Sequence, residues 1–204
     1  GHTLIMIDHE ESDGFDVLEA SEPDLDGFNY QTYSIRGEQA IDERLRLNWT
    51  ANLNTGDNEY DSVFGGPDKA QHTNSHFQIG GNFTWSDNVT LFSIAHFSDS
   101  SKNYGNGLAA SNASEFVSKR QQVSASNYSK LTENLDLTLG TDFVTERVES
   151  EQAFPIDERD LSGFYGQMTY THDKWRVEGS HRYDVIEFID SVSSSTVAVG
   201  YQVN

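Results

Sequence analysis

Apolar and polar residues alternate with a period of two along most of the chain. In "RLRLNWTANLN" (44–54), Leu45, Leu47, Trp49, Ala51 and Leu53 fall on one face, and Arg44, Arg46, Asn48, Thr50 and Asn52 on the other. In "HFQIGGNFTW" (76–85), Phe77, Ile79, Phe83 and Trp85 oppose His76, Gln78, Asn82 and Thr84. "LDLTLGTDFVTE" (135–146) and "WRVEGSHRYD" (175–184) repeat the pattern; 89–98 and 115–130 show it less cleanly. Period two over nine or more residues predicts long β-strands with one apolar and one polar face. Ten such strands are predicted, near 2–9, 28–39, 43–54, 75–86, 89–99, 115–131, 134–148, 161–172, 174–187 and 195–204.

The links between them alternate in length. Short ones fall near 40–42, 86–88, 131–134 and 172–174, and long ones at 9–27, 54–74, 99–114, 148–161 and 187–195. Pro23, Pro67 and Pro155 all lie in long links, where no ladder hydrogen bond is lost. One hairpin recurs about every 45 residues. This is the plan of an all-β, antiparallel up-and-down transmembrane barrel, with tight turns at the periplasmic end and long loops outside. Trp85 and Trp175 abut tight turns, where an interfacial aromatic girdle would sit. A propeller repeats at a similar period but packs four short strands into each repeat. A soluble sandwich or calcium-binding adhesin uses shorter strands. An unrelated porin-like barrel shares every feature given so far.

Composition sharpens this picture. The 204 residues carry a formal net charge of −20, with pI ≈ 4.4 and mean hydropathy −0.62. Nothing so acidic neutralises a phosphate backbone, so nucleic acid is not an expected partner. A polar average is compatible with a barrel, because only alternate residues face lipid. With no Cys, disulfides and thiolate metal sites are excluded. No H-E-x-x-H, G-x-S-x-G or phosphate loop is present, and the seven His are scattered, so no enzyme is expected.

Acid is concentrated near the N-terminus, where nine of residues 8–26 are Asp or Glu. "EPDLDG" (22–27) spaces Glu22, Asp24 and Asp26 like the first half of an EF-hand loop, but Tyr33 stands where the closing bidentate Glu belongs. Any calcium bound here needs ligands from another segment.

The run from "SDGFD" through "EPDLDGFNYQTYSIRGE" to "TGDNEYDSVF" resembles the barrel of TonB-dependent outer-membrane receptors, above all the cobalamin (vitamin B12) transporters. In that family, calcium binds between neighbouring extracellular loops through a Gly-aromatic-Asp, a Pro-Asp-x-Asp-Gly-Phe and a Tyr-Asp pair. The matching positions are Gly14-Phe15-Asp16, Pro23-Asp24-Leu25-Asp26-Gly27-Phe28 and Tyr60-Asp61. The resemblance thus implies Asp16, Asp24, Asp26, Tyr60 and Asp61 as calcium ligands, with Asp68 as a further one at a departing spacing. It also implies a bacterial outer-membrane location, cobalamin or a similar large scarce nutrient as substrate, and coupling to TonB through a plug. Residues 1–204 read as a partial barrel without that plug, matching about ten strands of a larger wall; substrate-contacting residues are not identified. A siderophore receptor shares the architecture.

The facing assignment is directly testable. Leu47→Arg, near the bilayer midplane, should cost ~2–4 kcal/mol of stability in lipid, and Asn48→Arg on the polar face far less. Equal costs in a vesicle-insertion titration would contradict the assignment.

Overall fold

The computed structural model describes residues 1–16, 24–62, 66–105 and 114–203. They form ten strands: β1 (His2–Ser12), β2 (Phe28–Ala40), β3 (Leu45–Glu59), β4 (Lys69–Trp85), β5 (Asn88–Tyr104), β6 (Ser114–Thr132), β7 (Leu135–Ser150), β8 (Glu158–His172), β9 (Trp175–Ile186) and β10 (Val192–Tyr201). Each pairs antiparallel with its neighbours in sequence, in one sheet ordered β1 to β10. Among the described residues β1 and β10 are its two edges, so the sheet is open rather than closed into a small barrel. No described helix is long and apolar enough to cross a membrane, which says nothing of strands.

All ten predicted strands are present, but several run longer at the end away from the tight turns. β3 continues to Glu59, β4 begins at Lys69 and β5 continues to Tyr104. A tilted strand crosses a bilayer in ~9–11 residues, and β3 to β8 have 15 to 19. The surplus is polar on both faces, as in "TGDNE" (55–59), so alternation disappears there while the ladder continues.

The tight turns have local causes. Ser86 and Asp173 both take φ of 51°, the left-handed conformation that a two-residue hairpin turn requires. In the 41–44 turn, the Asp42 carboxylate accepts hydrogen bonds from the backbone N–H groups of Arg44 and Leu45, both at 2.7 Å. Those bonds hold its carboxyl below the ordinary Asp value.

Register places each residue on one of two faces. One row runs Gly37, Trp49, Ile79, Ile94, Val123, Phe143, Ser162 and Val185. The next row, on the opposite face, runs Glu38, Asn48, Gly80, Ser93, Ser124, Asp142, Gly163 and Asp184. Leu45, Leu47, Ala51 and Leu53 thus share a face with Phe77 and Phe83, as the alternation predicts. The less regular 89–98 stretch has a cause: Leu91 and Phe97 lie on the polar face and His96 on the apolar one.

Burial is scarce. Among the described residues only Ala70, Ala95 and Val144 are buried hydrophobics, whereas Ile94, Val123, Phe143 and Val185 are 45–56% exposed. The sheet curves around its polar face, where one recess of ≈ 540 Å³ is lined by residues of five consecutive strands, including Asn52, His76, Phe97, Arg120 and Glu146. On this face Arg182 reaches across β8 to Asp142 at 2.9 Å while holding Asp184 at 2.8 Å. It passes over Gly163, where a Cβ would collide with the guanidinium.

Gly163→Ala should therefore push the ends of the Arg182 and Asp184 side chains aside and weaken the bridge to Asp142, at a cost of about 0.5–1.5 kcal/mol in urea unfolding from lipid vesicles. Gly179→Ala, where a Cβ meets nothing within 4 Å, should change stability by no more than about 0.5 kcal/mol. Equal effects would contradict this bridge across β8. The Asp42 bonds predict a pH dependence. A lowered folded-state pKa gives stability above the unfolded pKa that disappears as pH falls through the folded one. The gap in thermal midpoint between the wild type and Asp42→Ala should therefore close in acid; a gap unchanged down to pH 2 would contradict it.

Candidate metal-binding loops at the upper end of the sheet

The acidic segments meet at the end of the sheet opposite the tight turns. The 13–27 link returns on itself: the Asp26 N–H donates to the Phe15 carbonyl at 3.4 Å. Gly14, with φ of 70°, packs so closely on the Asp26 carbonyl that any Cβ would collide with it. Glycine is thus required in the Gly14-Phe15-Asp16 triplet for backbone reasons. The Glu59 N–H donates to the Gly27 carbonyl at 2.9 Å, tying this link to the end of β3. Next in the chain, the Tyr60 N–H donates to the Asp68 carbonyl at 2.8 Å, and the Asp68 N–H to the Tyr104 carbonyl at 3.1 Å. A ladder of backbone bonds thus connects the segments that carry Asp16, Asp26, Tyr60 and Asp68.

Four of the predicted acids, Asp16, Asp26, Asp61 and Asp68, are half-buried, and Asp24 is exposed. One carboxylate oxygen each of Asp16, Asp26 and Asp68 is shielded from solvent with no hydrogen-bond partner. A shielded carboxylate oxygen without a donor is costly, and a hard cation would satisfy it. Among the described residues, however, no group of three His, Asp or Glu side chains is gathered closely enough to hold a metal ion. The donor chemistry fits calcium, and the side chains have not converged on a point. Glu22 and Pro23 lie outside the described residues.

The sequence did not point to the third segment at this junction. Gly105, with φ of 93°, lies against the Asp68 carboxylate and leaves no room for a Cβ. Tyr104 donates its hydroxyl to Asp57 at 3.0 Å, and Lys69 pairs with Glu59. The "YG" of 104–105 reads as an ordinary loop turn; only the long extension of β5 brings it here. The Tyr60 phenol is raised above its ordinary pKa, first by burial and then by the charge of Asp68.

No protein-family model and no curated protein sequence matches the chain. Solved structures do match. The siderophore receptor PirA from Acinetobacter baumannii superposes with a TM-score of 0.80 at 11% identity, over 99% of this chain and 36% of that one. PirA from Pseudomonas aeruginosa gives 0.69 at 14%, over 87% and 31%. The ferric yersiniabactin uptake receptor FyuA from Yersinia pestis gives 0.59 at 13%, over 97% and 38%. The chain spans about a third of the length of each. At such identities the likeness establishes the fold: an up-and-down antiparallel wall of the kind found in outer-membrane receptor barrels.

The acid junction predicts a spectroscopic change. Removing the Asp68 charge with Asp68→Asn should lower the pH at which Tyr60 ionises. An ultraviolet titration against Tyr60→Phe isolates the signal; no movement on Asp68→Asn would contradict the proximity of Asp68 to Tyr60.

Proposed function

We propose that the chain is part of the wall of a TonB-dependent outer-membrane importer for a large, scarce nutrient, and that calcium orders its extracellular loops. The observation that carries this reading is the coreless sheet itself: ten sequential antiparallel strands, one face apolar and exposed, the other polar and curved around a recess. Such a sheet is stable where lipid covers the apolar face, and its polar face suits a lumen that holds a plug and passes substrate. Similarity to two siderophore receptors and an uptake receptor supports transport rather than catalysis.

Calcium rests on the loops. Asp16, Asp24, Asp26, Tyr60, Asp61 and Asp68 are the proposed ligands, and the backbone ladder already holds their segments together. Carboxylates in one junction repel each other, so a cation is what would draw the side chains together. Cobalamin follows from the Gly14–Asp16, Pro23–Phe28 and Tyr60–Asp61 resemblance. A ferric siderophore follows from the fold neighbours and is the second reading.

The test is a titration of the complete receptor with a corrinoid and, separately, with a ferric siderophore, each with calcium and with a chelator. The proposal predicts corrinoid binding that calcium tightens, and by linkage calcium binding that corrinoid tightens by the same factor. Asp26→Ala and Asp68→Ala should remove the calcium-dependent part only. Siderophore binding alone would replace the substrate, and corrinoid binding indifferent to calcium would remove the metal's role.

A further inference from the structure

The outward face changes character sharply above its apolar belt. On β6 and β7 the register carries Val123 and Phe143, then Gln121 and Thr145, then Lys119 and Arg147, all on one side. A recess of ≈ 510 Å³ opens on that side, and His96, Lys119, Arg147, Glu149 and Glu158 line it. The Lys119 ammonium donates to both Glu149 carboxylate oxygens at 2.8 Å. Arg147 Nε lies 3.7 Å from Glu149 and 3.8 Å from Glu158, beyond hydrogen-bonding length. The side chains of Lys119 and Arg147 are 38% and 55% exposed.

As a soluble surface, this cluster would be an ion-pair network of little energetic weight. Its position argues for more. Lys119 and Arg147 stand six residues above Ala125 and Thr141, which share the register row of Leu47 near the midplane. Six residues span about 20 Å along a strand, or about 14 Å of height at a tilt of about 45°. In a barrel wall that is the height of lipid headgroups, and the side is the one that faces them. An ammonium and a guanidinium fork side by side match a phosphate: the fork binds two oxygens and the ammonium a third. Arg120, one residue from Lys119, belongs to the opposite face, in the row with Phe97 and Glu146.

We propose that Lys119 and Arg147, with His96 below them, form a docking site on the outer wall for the phosphate of an outer-leaflet lipid. The proposal rests on the barrel reading above and adds a ligand to its outer surface. Phosphate competes with Glu149 for Lys119 and takes the outer edge of Arg147, so binding is direct and requires no metal.

The test uses the complete protein in lipid-free detergent, mixed with bisphosphorylated lipid A or with the same lipid dephosphorylated, and counts retained lipid by native mass spectrometry. Retention should favour the phosphorylated form, and Lys119→Gln with Arg147→Gln should reduce it at least about tenfold, the scale of one charge-assisted bond. Arg120→Gln should leave it unchanged. Equal retention of both lipids, or equal loss in Arg120→Gln, overturns the site but not the barrel. Loss of retention on adding EDTA overturns direct contact in favour of a divalent cation held by Glu149 and Glu158. Retention of neither lipid overturns the site and leaves the barrel reading, which rests on the two-faced sheet, untouched.

Discussion

Ten strands hydrogen-bonded in series satisfy their backbones but leave their side chains nothing to pack against except what lies on either side of the sheet. Only Ala70, Ala95 and Val144 are buried hydrophobics among the described residues, so the usual stabilising term, apolar burial inside the chain, is almost missing. The apolar face must be covered by something other than this chain. The polar face helps itself, through contacts such as Arg182 with Asp142 and Asp184, and Glu146 between Arg120 and Arg159. All of these but Arg182–Asp184, which lies within β9, run across strands. Gly163 lies beneath the Arg182–Asp142 bridge, and an added Cβ there would have to push the ends of Arg182 and Asp184 aside.

The upper end obeys a different constraint. Above the apolar belt both faces are wet, and charge replaces hydrophobicity as the organising term. The links there carry an excess of carboxylates, and backbone hydrogen bonds hold them in place together with the Tyr104–Asp57 and Lys69–Glu59 side-chain contacts. The backbone bonds from Glu59 to Gly27 and from Tyr60 to Asp68 place the carboxylate-bearing segments side by side. A cation would then add convergence. The outward cluster around Lys119 and Arg147 shows the same change of environment on the outer surface.

Much of the fold was legible from the chain because a half-immersed strand writes its environment into every second residue. Leu45 to Leu53 and Leu135 to Phe143 reveal both the strand and its facing. Strand ends were less legible: Thr55 to Glu59 and Lys69 to Asn74 keep the ladder but lose the contrast between faces. The 89–98 stretch blurred because the lumen wall accepts Leu91 and Phe97, the latter stacked on His76 at 4.3 Å. At the loop junction, the motifs singled out Asp16 and Asp26 as calcium ligands, but neither the backbone approach of Gly14 to Asp26 nor the place of Tyr104 and Gly105. Their place depends on how far β5 extends, which no local pattern records.

Absence of cysteine from residues 1–204 eases a direct measurement, in a background with any cysteine elsewhere replaced, of the central claim that one face meets lipid and the other water. Single cysteines at Asp142 and Phe143, adjacent on β7 and on opposite faces, can carry an environment-sensitive fluorophore in the complete protein reconstituted in vesicles. The account predicts quenching at 143 by lipids brominated mid-chain and at 142 by a small aqueous ion. Quenching of both positions by the aqueous ion alone would contradict it.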